Sequence, residues 1–207
     1  MSDPLWMRLW RTLQQDGCGG LWLKSLDASG YRRLYLLRRP LVEPIRDCPT
    51  TLPVEVDWLT PEGVHDYLGF RPEATGHDVT RQLQQGDRCL LARHEGRIVG
   101  AMWGSSARTN TRSLLGHDLP LAAGEAYQFD AYTSPEVRGM GIAPALSVAW
   151  LRHLRDEGCT AAIRMTFPWN GAALRSHAKA GYRVAAVVRS LRLGNRRYLF
   201  PIRKFAP

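Results

Sequence analysis

A turn that contains two glycines and an arginine is the first feature of the sequence that predicts chemistry. Arg138, Gly139 and Gly141 form this turn. It separates residues 125–132, which alternate like a β-strand, from an amphipathic helical stretch that begins at Ile142. The first N–H groups of a helix have no acceptor inside the helix, and the helix dipole adds partial positive charge there. Because glycine lets a ligand approach the backbone and arginine adds a full charge, the turn is predicted to bind a phosphate group.

A second motif begins at Asn170 and ends at Gly181 and Tyr182, with a short helical stretch between them. Residues 160–167 precede it with a strand pattern, so this motif also follows a strand. Either motif alone is weak evidence about function. Their order and separation along one chain make the pair more specific.

Together the two motifs resemble those of the GNAT (GCN5-related N-acetyltransferase) superfamily. Its acyl-CoA pyrophosphate loop has the pattern Gln/Arg-x-x-Gly-x-Gly/Ala, which Arg138, Gly141 and Ala143 match. The motif at Asn170 resembles its second signature, an Asn, then a helix, then Tyr-x-x-x-Gly-Phe. No Gly-Lys-Ser/Thr follows the turn, and its glycine spacing is not that of the dinucleotide fingerprint, which excludes two other phosphate loops. The resemblance covers roughly residues 51–202.

The resemblance implies an α/β (α+β) fold with a mixed, mostly antiparallel central sheet, a splayed strand pair and flanking helices. It also implies acetyl-CoA as the acyl donor, a primary amine as the acceptor, and no metal. The amine would attack the thioester directly in a ternary complex. The positions implied to bind the cofactor are Ala131, Tyr132, Thr133, Arg138, Gly139, Met140, Gly141, Ile142, Ala143 and Asn170.

Two catalytic residues are predicted from the resemblance, Asp130 and His177. His177 stands where many members carry the tyrosine that protonates the leaving thiolate, and a histidine titrates near neutral pH. The alternative, which stays open, is that His177 only packs beside the cofactor tail while water protonates the thiolate. Asp130 is the first choice for the base that takes the proton of the amine, and Glu125 is a weaker one. Asp130 could instead bind the ammonium group of a substrate.

Side chains near the predicted base are candidates for contact with the acceptor. Strand alternation places Gln128, Asp130 and Tyr132 on one face, so Gln128 is predicted to orient the base or the substrate. Trp103 and Trp169 are predicted to line the acceptor pocket. The alternative is that these large aromatic side chains belong to the core.

Composition and charge limit the classes of protein. A chain of 207 residues with 44% hydrophobic and 23% charged residues suits one globular domain. The formal net charge of +9 favours anionic ligands, but the arginines are dispersed, so no nucleic-acid partner is expected. Four widely spaced cysteines form no zinc-binding pattern. With no signal peptide or membrane span recognised, we expect reduced cysteines and a cytoplasmic location.

Residues 1–50 are predicted to be an N-terminal extension, an amphipathic helix and a strand, packed on an acetyltransferase domain of residues 51–207. The segment of residues 5–26 carries tryptophan and arginine, and the glycines at residues 17–20 are predicted to end its helix. Peripheral membrane contact and a homodimer interface both stay open as the role of this helix. Two alternative functions follow: a long-chain acyltransferase at a membrane surface, and a CoA-binding regulatory module without catalysis. The sequence does not choose between a small-molecule and a protein amine as acceptor.

Overall fold

The computed structural model describes residues 22, 25–109 and 111–205. Within these ranges, nine strands form one sheet in the order β2-β3-β4-β5-β6-β1-β7-β8, and β9 pairs with β7. The strands are β1 (Tyr31–Pro40), β2 (Glu55–Trp58), β3 (Arg88–His94), β4 (Arg97–Ser105), β5 (Glu125–Thr133), β6 (Ala161–Thr166), β7 (Arg183–Leu193), β8 (Arg196–Leu199) and β9 (Arg203–Lys204).

Five α-helices with fully described bounds flank this sheet, in addition to the helical residues 25–28. They are α1 (Val64–Phe70), α2 (Gly76–Gln84), α3 (Arg112–Leu115), α4 (Ile142–Asp156) and α5 (Gly171–Lys179). All strand pairings are antiparallel except β5 with β6, which is parallel. The predicted mixed, mostly antiparallel sheet with flanking helices is therefore confirmed.

Helices cover both faces of β4, because alternate residues of this strand point to opposite sides. On one face, Gly100 leaves so little room that a Cβ there would lie 2.8 Å from Ile142 Cγ2, and Trp150 of α4 donates its Nε1–H to the Met102 carbonyl at 3.0 Å. On the other face, Trp103 packs with Tyr67 of α1. The sheet is thus fixed between α4 on one side and α1 on the other.

The parallel pair β5–β6 opens into a fork. Its pairing runs only from Glu125 with Ala161 to Tyr127 with Ile163. Beyond that point β5 continues to Thr133 while paired only with β4, and β6 continues while paired only with β1. The facing edges of residues 128–133 and 164–166 therefore have no strand partner among the described residues. We call this gap the fork.

Strand β1 lies inside the sheet, between β6 and β7, and pairs with both. Leu34 and Leu37 of this strand are 0% and 2% exposed. The sequence predicted a strand here, but as part of an extension packed on the domain. The sheet instead takes a central strand from the chain before residue 51, because strand pairing joins segments that lie far apart in sequence.

The predicted N-terminal helix, which starts at Leu5 and ends at the glycines of residues 17–20, lies outside the described residues, and so does Cys18. The membrane-surface alternative, which depends on that helix, therefore stays a prediction. Cys48, Cys89 and Cys159 are free thiols. Within the described ranges, no helix is both long and apolar enough to cross a membrane.

Candidate functional site

The glycine turn joins the end of β5 to the first residue of α4. A 3-10 turn, Pro135–Val137, follows the strand, and Gly139 and Gly141 both have left-handed backbones, with φ of +86° and +84°. Glycine adopts this conformation without the strain that a Cβ would cause. The turn thereby directs the chain into α4 within a few residues, as the sequence predicted.

Backbone donors converge at this turn. The N–H groups of Gly139, Gly141, Ile142 and Ala143 donate to no other described residue, and the first helical bond is from Ala145 N–H to the Gly141 carbonyl at 3.1 Å. Unpaired N–H groups at a helix N-terminus, together with the helix dipole, bind phosphate oxygens well. The turn therefore has the geometry of a phosphate site.

A neighbouring segment holds the turn in place from behind. Thr51 N–H donates to the Met140 carbonyl at 3.1 Å, and a Cβ on Gly141 would lie 2.6 Å from the Pro49 carbonyl oxygen. Arg138 is exposed; its Nε–H donates to the Thr133 carbonyl at 3.2 Å and its guanidinium lies 6.0 Å from the Tyr132 ring centre. The turn is thus held by residues 49–51 on its inner side, while its outer side is open and carries the cation of Arg138.

Asp130 lies in a β-bulge of β5. Ala101 of β4 pairs with Tyr132 and Trp103 with Phe129, so the single residue Met102 faces both Asp130 and Ala131. Asp130 has a left-handed backbone, with φ of +42°. A bulge places an extra residue in one strand and changes the direction of the side chains that follow.

Because of the bulge, the prediction that Gln128 and Asp130 lie on one face of β5 is wrong. Gln128 is 1% exposed and its Oε1 accepts the Tyr182 hydroxyl at 2.5 Å and the Ser147 hydroxyl at 3.5 Å, on the side of α4. Asp130 is instead bonded to Arg71 at the end of α1. Gln128 is thus not a neighbour of Asp130 in the site, because strand alternation fails at a bulge.

Arg71 holds one oxygen of Asp130 and leaves the other open. Its Nη1 and Nη2 both lie 3.2 Å from Asp130 Oδ1, while Oδ2 bonds no described residue and 45% of the side chain is exposed. The Arg71 guanidinium also lies 4.4 Å from the Tyr132 ring centre, and its Nε–H donates to Glu73 at 2.5 Å. Asp130 therefore offers an oriented, accessible carboxylate oxygen beside the fork.

The two tryptophans predicted to line the acceptor pocket lie in different surroundings. Trp103 is 1% exposed and donates its Nε1–H to the Tyr67 hydroxyl at 2.8 Å, so it is a core residue and its prediction as a substrate contact is corrected. Trp169 is half-buried beyond the end of β6 and stacks on Phe167 with ring centres 4.4 Å apart. Only Trp169 has a face that a ligand could reach.

The remaining predicted residues surround the fork. Ala131, Tyr132 and Thr133 form the free edge of β5. Asn170 is exposed and caps α5, since its Oδ1 accepts the Ala173 N–H at 3.0 Å, which leaves its amide NH₂ for a ligand.

His177 is on the inner side of α5 and only 7% exposed. Burial, and next to it the charge of Arg164, lower the pKa of His177 to about 2. The ring is therefore neutral at physiological pH and does not carry the proton that an imidazolium acid would give. This environment favours the alternative in which His177 packs beside the cofactor over the predicted titrating acid.

Sequence reasoning missed Arg71 and Arg164. Arg164 was detectable in principle, as a lone charge in the otherwise apolar strand pattern of β6. Arg71 follows the end of α1 and gave no such signal. In the described ranges, no three His, Cys, Asp or Glu side chains are grouped as metal ligands would be.

Comparison with known proteins places these features in a family. The profile of the acetyltransferase (GNAT) family matches residues 56–182. Relatives include a mycothiol acetyltransferase of Acidothermus cellulolyticus, 29% identical over 200 residues, and one of Cellulomonas flavigena, 31% identical over 103 residues. These alignments cover 86% and 47% of this chain but 59% and 27% of those proteins, so the chain spans less than two thirds of either.

A solved structure shares the fold. An aminoglycoside N-acetyltransferase crystallised in complex with CoA superposes with a TM-score of 0.52 over 65% of this chain and 91% of its own, at 17% identity. The family match extends over the free edge of β5, the glycine turn and the second motif. The chain therefore belongs to the acetyltransferase (GNAT) family.

Proposed function

We propose that this protein transfers an acetyl group from acetyl-CoA to a primary amine by direct attack in a ternary complex. One observation carries the proposal. A turn with four unpaired backbone N–H groups ends at the mouth of a fork whose strand edges have no partner. A phosphate site next to an open strand edge suits a ligand that is a diphosphate at one end and an extended diamide at the other, as CoA is.

The donor is held along the fork. Its pyrophosphate lies against the turn at the N-terminus of α4, where the N–H groups and Arg138 neutralise its charge. Its pantetheine arm runs along the β5 edge, where backbone groups of Ala131, Tyr132 and Thr133 can bond its amides. The thioester then lies towards the base of the fork, between the two strands.

Asp130 serves the acceptor. Its Oδ2 bonds no described residue and the side chain is 45% exposed at the bulge, while Arg71 fixes the direction of the carboxylate through Oδ1. The carboxylate binds the amine as an ammonium ion and accepts its proton, directly or through one water. The amine nitrogen then forms a bond to the thioester carbon, and the carbon–sulfur bond breaks with its electron pair on sulfur.

The names of the similar proteins suggest which class of amine accepts the acetyl group. They are named for mycothiol and for aminoglycosides, which makes small-molecule amines the first acceptors to test. Protein amines are the second class. Half-buried Trp169 offers an apolar surface to either.

The proposal is tested by the release of free CoA thiol from acetyl-CoA across a panel of amines. The panel contains the acceptor of mycothiol acetyltransferases, aminoglycosides, amino acids and lysine peptides, and mass spectrometry identifies the acetylated product. We expect amine-dependent release with at least one of them. CoA binding by calorimetry together with no release above the hydrolysis rate for any amine would support the non-catalytic alternative instead.

A further inference from the structure

Five buried polar side chains lie together at the base of the fork, and we call them the fork cluster. Gln128 and Arg164 are the first residues beyond the last β5–β6 pair, so they mark the point where the strands separate. Exposure within the cluster is at most 7%. The members are Gln128, Ser147, Arg164, His177 and Tyr182.

Arg164 is buried without a carboxylate. Its Nη1 lies 3.0 Å from His177 Nδ1 and 3.4 Å from the Ser147 hydroxyl, and its Nη2 lies 3.6 Å from Met102 Sδ. No described Asp or Glu forms an ion pair with it. Although burial lowers the pKa of Arg164, a guanidinium keeps its proton in proteins. Arg164, which is 3% exposed, therefore places a positive charge beneath the fork without a described carboxylate to neutralise it.

This contact determines which nitrogen of His177 carries the proton. A guanidinium only donates hydrogen bonds, so Nδ1 must accept, and the single proton of the neutral ring must be on Nε2. Tyr182, the residue before β7, faces the ring with ring centres 6.1 Å apart. Burial raises the pKa of Tyr182 to about 12, so it is neutral too. Arg164 is the only charged group that contacts the ring in the described part of the chain.

The Nε2 atom is free. It bonds no described residue, and it is not among the buried polar atoms that lack a partner, so the small exposed part of the ring includes it. Gln128 has a second surplus donor, because its Nε2 is buried and unpaired. Together with Arg164, the cluster therefore presents positive charge and hydrogen-bond donors, with no described anion to receive them.

We propose that Arg164 fixes His177 as the neutral Nε2–H tautomer, and that this N–H donates a hydrogen bond to the CoA sulfur as the thioester is cleaved. The inference rests on the proposed function and adds a positioning residue, Arg164, and a neutral donor, His177, to it. The cleavage step needs no proton from the imidazole ring. The electron pair of the broken carbon–sulfur bond stays on sulfur, His177 keeps its proton, and the thiolate takes its proton from solvent.

The physical reason is the low dielectric of the buried cluster. A donor that is already oriented towards developing charge costs no reorganisation, and the loss of one such donor typically lowers the rate by about 100-fold. The charge of Arg164, one hydrogen bond away from the ring, polarises His177 and makes it a stronger donor.

Nitrogen-15 NMR of histidine-labelled protein tests the tautomer without any turnover. The resonances absent from a His177→Gln variant identify His177. We expect an Nε2–H tautomer that does not titrate between about pH 5 and about pH 8, and a shift of its Nε2 resonance when CoA is added. An Nδ1–H tautomer, a ring that titrates in this range, or a resonance that CoA does not move would each overturn the proposal.

A matched control tests whether the loss of any arginine that contacts a histidine would change the His177 resonances. Arg88 Nη1 lies 2.6 Å from His153 Nε2 on the outside of α4, remote from the fork cluster. Arg164→Met should release the His177 tautomer and move its resonances, whereas Arg88→Met should leave them unchanged. If Arg164→Met fails to fold, the wild-type spectrum already decides the tautomer.

Kinetics test the donor role. Gln accepts through Oε1 and donates through Nε2, so His177→Gln should keep kcat within about fivefold, whereas His177→Leu should lose about 100-fold with CoA affinity intact. Unchanged kcat in His177→Leu would reduce His177 to packing. A His177→Gln variant as slow as His177→Leu would mean that the ring gives up its proton. A failure of the proposed function would appear differently, as no amine-dependent release by the wild type.

Discussion

At the residue scale, the lowered pKa of His177 makes the folding stability of the protein depend on pH. Folding lowers its pKa from 6.5 to about 2. The unfolded chain therefore binds a proton below about pH 6.5 that the folded chain does not. The contribution of the neutral ring to stability is full above this pH and is lost progressively as the pH falls towards 2.

We accordingly expect His177→Gln to lose less stability on acidification than the wild type. Between about pH 7 and about pH 5 the difference in unfolding free energy should be on the order of 2 kcal/mol. Urea denaturation at both pH values measures it. His77→Gln, at a side chain 81% exposed, is the control and should follow the wild type. Equal pH slopes for all three proteins would show that the ring is not held neutral.

Asp130 yields a second prediction at this scale. Asp130→Asn keeps the shape and the contact with Arg71 but removes the proton acceptor, so kcat should fall about 100-fold with little change in CoA affinity. Asp57 is a matched control, because it also pairs with an arginine, Arg93, and is 47% exposed against 45% for Asp130. Asp57→Asn should retain activity. A wild-type pH–rate profile in Asp130→Asn would remove Asp130 as the base.

The residues around Asp130 also show what the sequence could and could not predict. Asp130 was recognised as a candidate because it lies on the strand before the glycine turn. The bulge that turns it towards Arg71 and away from Gln128 depends on how β4 pairs with β5, and no local pattern reveals it. Trp103 and Trp169 are both tryptophans, so residue type does not distinguish them. Trp103 is a core residue because α1 packs on the sheet over it, which no local sequence pattern reveals.

At the element scale, the two glycines of the turn form a natural pair for comparison. Both are left-handed, but a Cβ on Gly141 meets the Pro49 carbonyl oxygen at 2.6 Å, whereas a Cβ on Gly139 meets nothing within 4 Å. Gly139→Ala should cost only the backbone strain, about 1 kcal/mol. Gly141→Ala should cost about 1–3 kcal/mol more and weaken CoA binding by at least about tenfold, because the turn must move.

Chemical denaturation and calorimetric CoA titration of both variants measure these effects. The result that would contradict the assignment of the turn is equal CoA affinity in Gly141→Ala and wild type despite the loss of stability. The turn was predictable because its glycines, arginine and following helix are contiguous in sequence. The fork next to it was expected only through the family resemblance, since the end of a strand pairing leaves no local signature.

At the scale of the whole molecule, β1 pairs with two strands from the C-terminal half of the chain. It occupies the position between β6 and β7, and through β6 it supports one side of the fork. The sequence predicted β1 as a strand from its alternation, but its central position could not be predicted, because the pairing partners lie more than a hundred residues away. The predicted boundary at residue 50 therefore cuts through the sheet.

We expect a chain that starts at residue 51 to lack a cooperative thermal transition, because it leaves β6 and β7 without the strand between them. A chain that starts at residue 25 should melt cooperatively. A milder test is Leu34→Ala, at a side chain 0% exposed, which should cost about 3 kcal/mol. If the chain from residue 51 melted like the chain from residue 25, β1 would be an accessory strand.

The central claim is direct acetyl transfer within a ternary complex at the fork. It is tested by initial rates of thiol release while acetyl-CoA and an accepted amine are both varied. The account predicts double-reciprocal lines that intersect, because both substrates must be bound before the amine attacks. Parallel lines, the pattern of a covalent acetyl-enzyme, or the absence of amine-dependent release would contradict it.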